Sequence, residues 1–219
     1  MKVLFLGDSI TSGGGAGCVE KSYVYRVGEK MGITAIAYGQ GGTRIAKQTT
    51  PSEVAVYDQD FISRALTMDR DADFVFVFGG TNDFGHGDAP IGDKSDLNPY
   101  TFCGALNYLI NYLSEIYGKE KLCFITPLHR YDEDNVFGEF GAKKVPSLTL
   151  LGYVDVIRDI TREKGVELLD LFDQTFFPKP AANCADDLTA DGLHPNPKGH
   201  DLIADKICKY LKNKFNIVG

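Results

Sequence analysis

The chain has 219 residues, 43% hydrophobic and 24% charged, with a net charge of −7. That is ordinary usage for a globular protein, and a chain of this length buries enough surface to fold without disulfides or a structural metal, so one domain over residues 1–219 is expected. The acidic balance argues against a nucleic-acid partner and against an anionic membrane face, both of which call for a basic surface.

In chain order, the first predicted element is a strand over Val3–Leu6, an apolar run that stops at Gly7. It is too short for the apolar region of a secretory signal, and no later stretch reaches the length of a membrane span, so a cytoplasmic location is expected. A helix over Tyr23–Met31 ends near Gly32, followed by a strand over Thr34–Tyr38. A second helix is predicted over Asp58–Leu66 and a third strand over Phe74–Phe78. From Pro99 to Tyr117, the spacing of Leu106, Leu109, Ile110 and Leu113 predicts a helix stopped at Gly118. A strand over Leu122–Thr126, a helix over Val145–Lys164, a strand over Val166–Leu171 and a helix from Pro197 to Phe215 complete the pattern.

Most of these strands are apolar on both faces, as strands are when helices cover both sides of a sheet. Five strands alternating with helices predict a three-layer α/β/α sandwich around a mainly parallel, five-stranded sheet. Five scattered cysteines with no C-x-x-C pair argue against a disulfide framework or a zinc knuckle. In such sheets ligands bind beyond the carboxyl ends of the strands. Those ends carry GDSI with Ser9, GQGGT with Gly41 and Gly42, GGTND with Asn82 and Asp83, and a segment with His129 and Arg130. The loop before the last helix, DGLHP, carries Asp191 and His194.

Acyl transfer needs a nucleophile, a base to deprotonate it, a group that orients the base, and donors for the oxygen that becomes negative. Ser9, His194 and Asp191 have the chemistry for the first three. The Ser9 N–H, a glycine N–H of GQGGT and the Asn82 amide suit the fourth, because a glycine lets backbone approach a substrate closely. Each residue also has a bland reading: Ser9 as a helix N-cap, Asn82 as an Asx-turn, Asp83 as a loop tether, His194 as a surface histidine. His200, inside the last helix, reads as a surface residue. The run GGGAG, Gly13 to Gly17, lacks the G-K-[ST] of a phosphate loop and reads as flexible.

Taken together, GDSI, GQGGT, GGTND and DGLHP resemble the four sequence blocks of the GDSL, or SGNH, hydrolases, in that family's order and across nearly the whole chain. Ile10 replaces the family's Leu, and Ala37 stands where the family has an Asn near the second block. The resemblance implies the flavodoxin-like fold of that family, Ser9 as nucleophile, Asp191 and His194 as its partners, and Asn82 with Gly42 in the oxyanion hole, Gly41 being the alternative. It implies an esterase, lipase, thioesterase or carbohydrate deacetylase acting on a small ester, with no metal and no organic cofactor. Two long connections, 84–99 and 129–146, are expected to wall the substrate pocket with Phe84, His129, Arg130, Phe137 and Phe140. Two other functions compete: a metal-dependent phosphoesterase, although an early D-x-H is absent, and a binding module on the same fold without catalysis.

Overall fold

The computed structural model describes residues 1–217, leaving the last two residues of the expected 1–219 span outside it. Five strands form one sheet: β1 (Lys2–Gly7), β2 (Thr34–Gly39), β3 (Phe74–Phe78), β4 (Leu122–Ile125) and β5 (Glu167–Leu169). Their spatial order is β2-β1-β3-β4-β5, and every pairing is parallel. Val3 is registered with Ala35 on one side and Phe74 on the other.

The helices are α1 (Tyr23–Met31), α2 (Phe61–Ala65), α3 (Thr81–Gly85), α4 (Phe102–Tyr117), α5 (Leu150–Lys164) and α6 (Pro197–Phe215). The period-2 alternation of a strand divides the apolar side chains between two cores. Leu4, Leu6, Val75, Val77 and Phe124 pack against α2, α4 and α5. Val3, Phe5, Phe74, Phe76 and Ile125 pack on the opposite face against α1 and α6. Leu106, Leu109, Ile110 and Leu113 of α4 are all sealed from solvent, and burying each such side chain stabilises by about 1.5–3 kcal/mol.

Four elements depart from expectation by two residues or more, each for a local reason. The helix expected from Pro99 starts at Phe102, because the Thr101 hydroxyl caps it by accepting the Gly104 N–H. The helix expected from Val145 starts at Leu150, behind a similar Thr149 cap that accepts from the Gly152 N–H. The second expected helix is split: Ala55–Asp58 forms a 3₁₀ turn, and Asp60 caps α2 through the Ser63 N–H. The last strand is shorter than Val166–Leu171, since Leu171 N–H turns away to the Thr126 hydroxyl. Among the described cysteines, all free, Cys103, Cys123 and Cys208 are buried while Cys18 and Cys184 are exposed.

The chain leaves β1 for β2 on one side and returns to β3 on the other. Between β1 and β3 the connections therefore diverge, and the crevice at their carboxyl ends is where such sheets hold ligands. Ser9 follows β1 and Asn82 follows β3.

Candidate active site

No helix begins at Ser9. The backbone after β1 folds into a tight turn in which Asp8 Oδ1 accepts the Ile10 N–H at 3.0 Å and Ser9 C=O accepts the Gly14 N–H at 2.7 Å. The Ser9 hydroxyl is thereby left free of a capping role, and Ser9 Oγ lies 2.9 Å from His194 Nε2. On the far side of the ring, His194 Nδ1 lies 2.7 Å from Asp191 Oδ2. An ionised carboxylate only accepts hydrogen bonds, so Nδ1 carries the proton and Nε2 presents its lone pair to the Ser9 hydroxyl.

The loop carrying this pair is held from three directions. Asp191 Oδ1 accepts the N–H groups of His194 at 2.7 Å and Leu193 at 3.0 Å. Burial acts to raise the Asp191 pKa, but the backbone and ring donors of His194 outweigh it and hold the carboxyl below its ordinary range. Ala190 N–H donates to His194 C=O, and the Asn196 side chain caps α6 through the N–H groups of Lys198 and Gly199. Gly14 backs the imidazole: a Cβ there would stand 2.9 Å from His194 Cδ2 and 2.9 Å from Ser9 O. Only a residue without a side chain fits that gap.

His200, expected on the surface, is instead fully buried under this turn. Its Nδ1 accepts the Tyr23 N–H at 3.2 Å and its Nε2 donates to Gly14 C=O at 2.9 Å, tying α1 and α6 to the glycine turn behind His194. Burial drives its pKa down to about 4, so the ring is neutral and fixed as one tautomer. Asp8, beside Ser9, is also buried, which pushes its carboxyl up to about 6 against the pull of the Ile10 N–H and of His194.

The second wall comes from the residues after β2 and β3. Asn82 is buried in α3, and its Nδ2 donates one N–H to Thr43 C=O at 2.9 Å, leaving its other N–H without a protein acceptor among the described residues. Asp83 is a tether, as its bland reading has it: its two oxygens accept the N–H groups of Ile45 and Ala46, both at 2.9 Å. Arg64 completes the frame by donating to Tyr38 C=O and to the Thr43 hydroxyl. The two candidate glycines of GQGGT, Gly41 and Gly42, face different ways. A Cβ on Gly41 would lie 3.8 Å from Ser9 Cβ, whereas one on Gly42, at φ +72°, would enter the Tyr57 ring at 2.1 Å. Among the described residues neither glycine N–H donates to the protein.

The expected pocket residues divide. Phe84 is fully buried against Tyr153, with the Arg130 guanidinium over its ring. Arg130 is fully buried too, engaged by Asp132, Glu139 and the Thr81 hydroxyl. His129 is held by Glu133 and Gln174 and stacks on Phe172. Phe84 and Arg130 thus support the loop from within, while His129 is held on its Nδ1 side only. Phe137 and Phe140 are exposed. Among the described residues, no three His, Cys, Asp or Glu side chains converge so as to hold a metal ion, and no helix is long and apolar enough to cross a membrane.

The sequence profile of the GDSL-like lipase/acylhydrolase family matches residues 5–202, and the chain belongs to that family of ester-bond hydrolases. Among solved structures it resembles a Lactobacillus plantarum protein at 29% identity and TM-score 0.79, over 97% of this chain and 96% of that one. A lipase/acylhydrolase from Enterococcus faecalis shares the fold at 21% identity and TM-score 0.66, over 97% and 96% of the two chains. So does an acetyl xylan esterase, AlAXEase, at 21% identity and TM-score 0.60, over 96% and 100%. No curated protein matches the chain.

Proposed function

We propose that the protein is a serine esterase that cleaves a small ester through an acyl-enzyme, with Ser9 as nucleophile, His194 as general base and then general acid, and Asp191 orienting the imidazole. The observation that carries this reading is the continuous hydrogen-bond chain from Ser9 Oγ to His194 Nε2 at 2.9 Å and from His194 Nδ1 to Asp191 Oδ2 at 2.7 Å. In the first step His194 takes the Ser9 proton as Oγ attacks the ester carbonyl. The tetrahedral oxyanion then accepts from the Ser9 N–H, the spare N–H of Asn82 and a glycine N–H. Gly41 is the better candidate for that glycine than Gly42, because it is the one that faces Ser9. His194 returns the proton to the leaving alcohol, and water reverses the sequence to release the acid. The substrate is a lipid-like ester, a thioester or an acetylated carbohydrate; the acetyl xylan esterase among the structural neighbours favours including the last.

The test is a panel of p-nitrophenyl esters and acetylated sugars. Ser9→Ala is expected to lower kcat by about 10⁵–10⁶ and Asn82→Ala by about 10²–10³. Hydrolysis by Ser9→Ala at the wild-type rate would overturn the assignment.

A further inference from the structure

A cavity of about 1030 Å³ opens among the connections that follow β2, β3 and β4. It shares no lining residue with Ser9, Asp191 and His194, but Tyr57 forms one of its walls, and the same ring sits against Gly42 in the loop beside Ser9. Its size suits a small-molecule site, which characteristically joins apolar walls to a few placed polar groups.

Two cations line it from inside the protein. Lys143 is 6% exposed, and among the described residues its ammonium has no hydrogen-bond acceptor and no carboxylate within ion-pair distance. Its nearest aromatic contact is the Tyr153 ring, with Nζ 5.7 Å from the centroid. Arg44 is 3% exposed; its terminal nitrogens are engaged by His86, Ser52 and Asp58, while its Nε is buried without a partner. The carboxylates near these cations are already in use. Asp83 accepts two backbone N–H groups, and Asp88 accepts from Thr49 and Thr50. Glu53, at the wall, is exposed. Asp83 and Asp88 act on the Lys143 ammonium only from beyond ion-pair distance, so the cavity offers a bound anion a direct partner that the protein does not supply. Around the mouth, Val54, Val145 and Leu148 stay exposed although apolar.

We propose that this cavity binds an amphipathic carboxylate, its anionic end on Lys143 and its apolar body along Val54, Val145 and Leu148. One unpartnered ammonium facing the cavity matches a monoanion. The carboxylate is either a free acid or the remote end of an ester substrate.

Binding is read by calorimetry on the full-length Ser9→Ala protein, so the result does not depend on the proposed catalysis. Hexanoate is titrated against hexanamide, its uncharged counterpart. Hexanoate is expected to bind about tenfold or more tightly than the amide, the effect of a charge-assisted pair. Lys143→Met should erase that preference and Lys143→Arg should keep it. Val145→Glu, at an exposed position of the mouth, should weaken hexanoate and spare hexanamide, which keeps the test decisive should Lys143→Met not fold. Equal binding of acid and amide, or undiminished hexanoate binding by folded Lys143→Met, would overturn the proposal. The source is separated with wild-type enzyme on p-nitrophenyl hexanoate and the p-nitrophenyl monoester of adipate. A Lys143-dependent preference for the adipate ester assigns the cavity to the substrate's far end, and hexanoate binding without that preference assigns it to a free acid. This ester arm alone rests on the serine-esterase reading.

Discussion

Asp191→Asn isolates the tautomer of His194 with almost no change in shape. In the wild type, Asp191 Oδ1 accepts two backbone N–H groups, from Leu193 and His194, and Oδ2 accepts His194 Nδ1–H. An asparagine keeps the two backbone bonds only with its carbonyl oxygen at the Oδ1 position. Its NH₂ then faces Nδ1 at a site built at 2.7 Å for a proton donor. Two donors cannot face each other, so the imidazole shifts its proton to Nε2, the nitrogen that must accept from Ser9. A wholly buried carboxylate in this role is worth about 10⁴ in kcat. The Asp191 side chain is 47% exposed, so water and solvent screening recover part of the loss, and a decrease of about 10³ is expected. The assay is steady-state hydrolysis of p-nitrophenyl acetate, with KM expected to change little because ground-state binding is untouched. A kcat within about threefold of wild type, in a variant with unchanged melting, would refute the reasoning that Asp191 fixes the tautomer.

Gly14→Ala is expected to lower kcat by about 10–100-fold with a modest change in KM, because the new methyl group displaces the imidazole from Ser9; unaltered steady-state constants would contradict the tight fit at 2.9 Å. Asp8→Asn tests the buried carboxyl whose pKa stands at about 6 rather than 3.8. A folded-state pKa raised in this way means the native protein holds a proton that the unfolded chain releases between those values, so stability falls as pH rises through that window. At neutral pH the ionised Asp8 costs on the order of 3 kcal/mol, so Asp8→Asn should melt higher than wild type at about pH 8 and no higher at about pH 4. A gain that is the same at both pH values would argue against a buried, titrating Asp8. Full hydrolytic activity is expected after dialysis against EDTA; a loss restored by a divalent cation would favour the phosphoesterase alternative. Phe137→Ala with Phe140→Ala should alter the chain-length profile over p-nitrophenyl esters, and an unchanged profile would remove both residues from the substrate pocket.

The sequence was most informative where one local rule dominates. Strands buried on both faces read directly as apolar runs, and the residues just beyond them were few enough to search for chemistry. It was least informative where tertiary partners decide. Nothing local marks Arg130 as buried: it is sealed because Asp132, Glu139 and Thr81 supply acceptors from both sides of it. His200 stands one turn before Ile203 and Ala204 on the buried face of α6, where the Tyr23 ring and the Gly13–Gly15 turn cover it. The contrast between Gly41 and Gly42 depends on Tyr57, which lies in a distant turn. Lys143 and the cavity it lines left no trace in the pattern, since three separate connections build that wall. The late starts of α4 and α5 were legible in principle, because Thr101 and Thr149 are good N-cap residues standing before helical runs.

The most direct test of the central claim is intact-protein mass spectrometry after brief exposure to a fluorophosphonate, followed by peptide mapping. An activated Ser9 predicts a single adduct per chain, on Ser9, that vanishes in Ser9→Ala and forms far more slowly in His194→Ala. No adduct on the wild-type protein, or an adduct on a different residue, would contradict it.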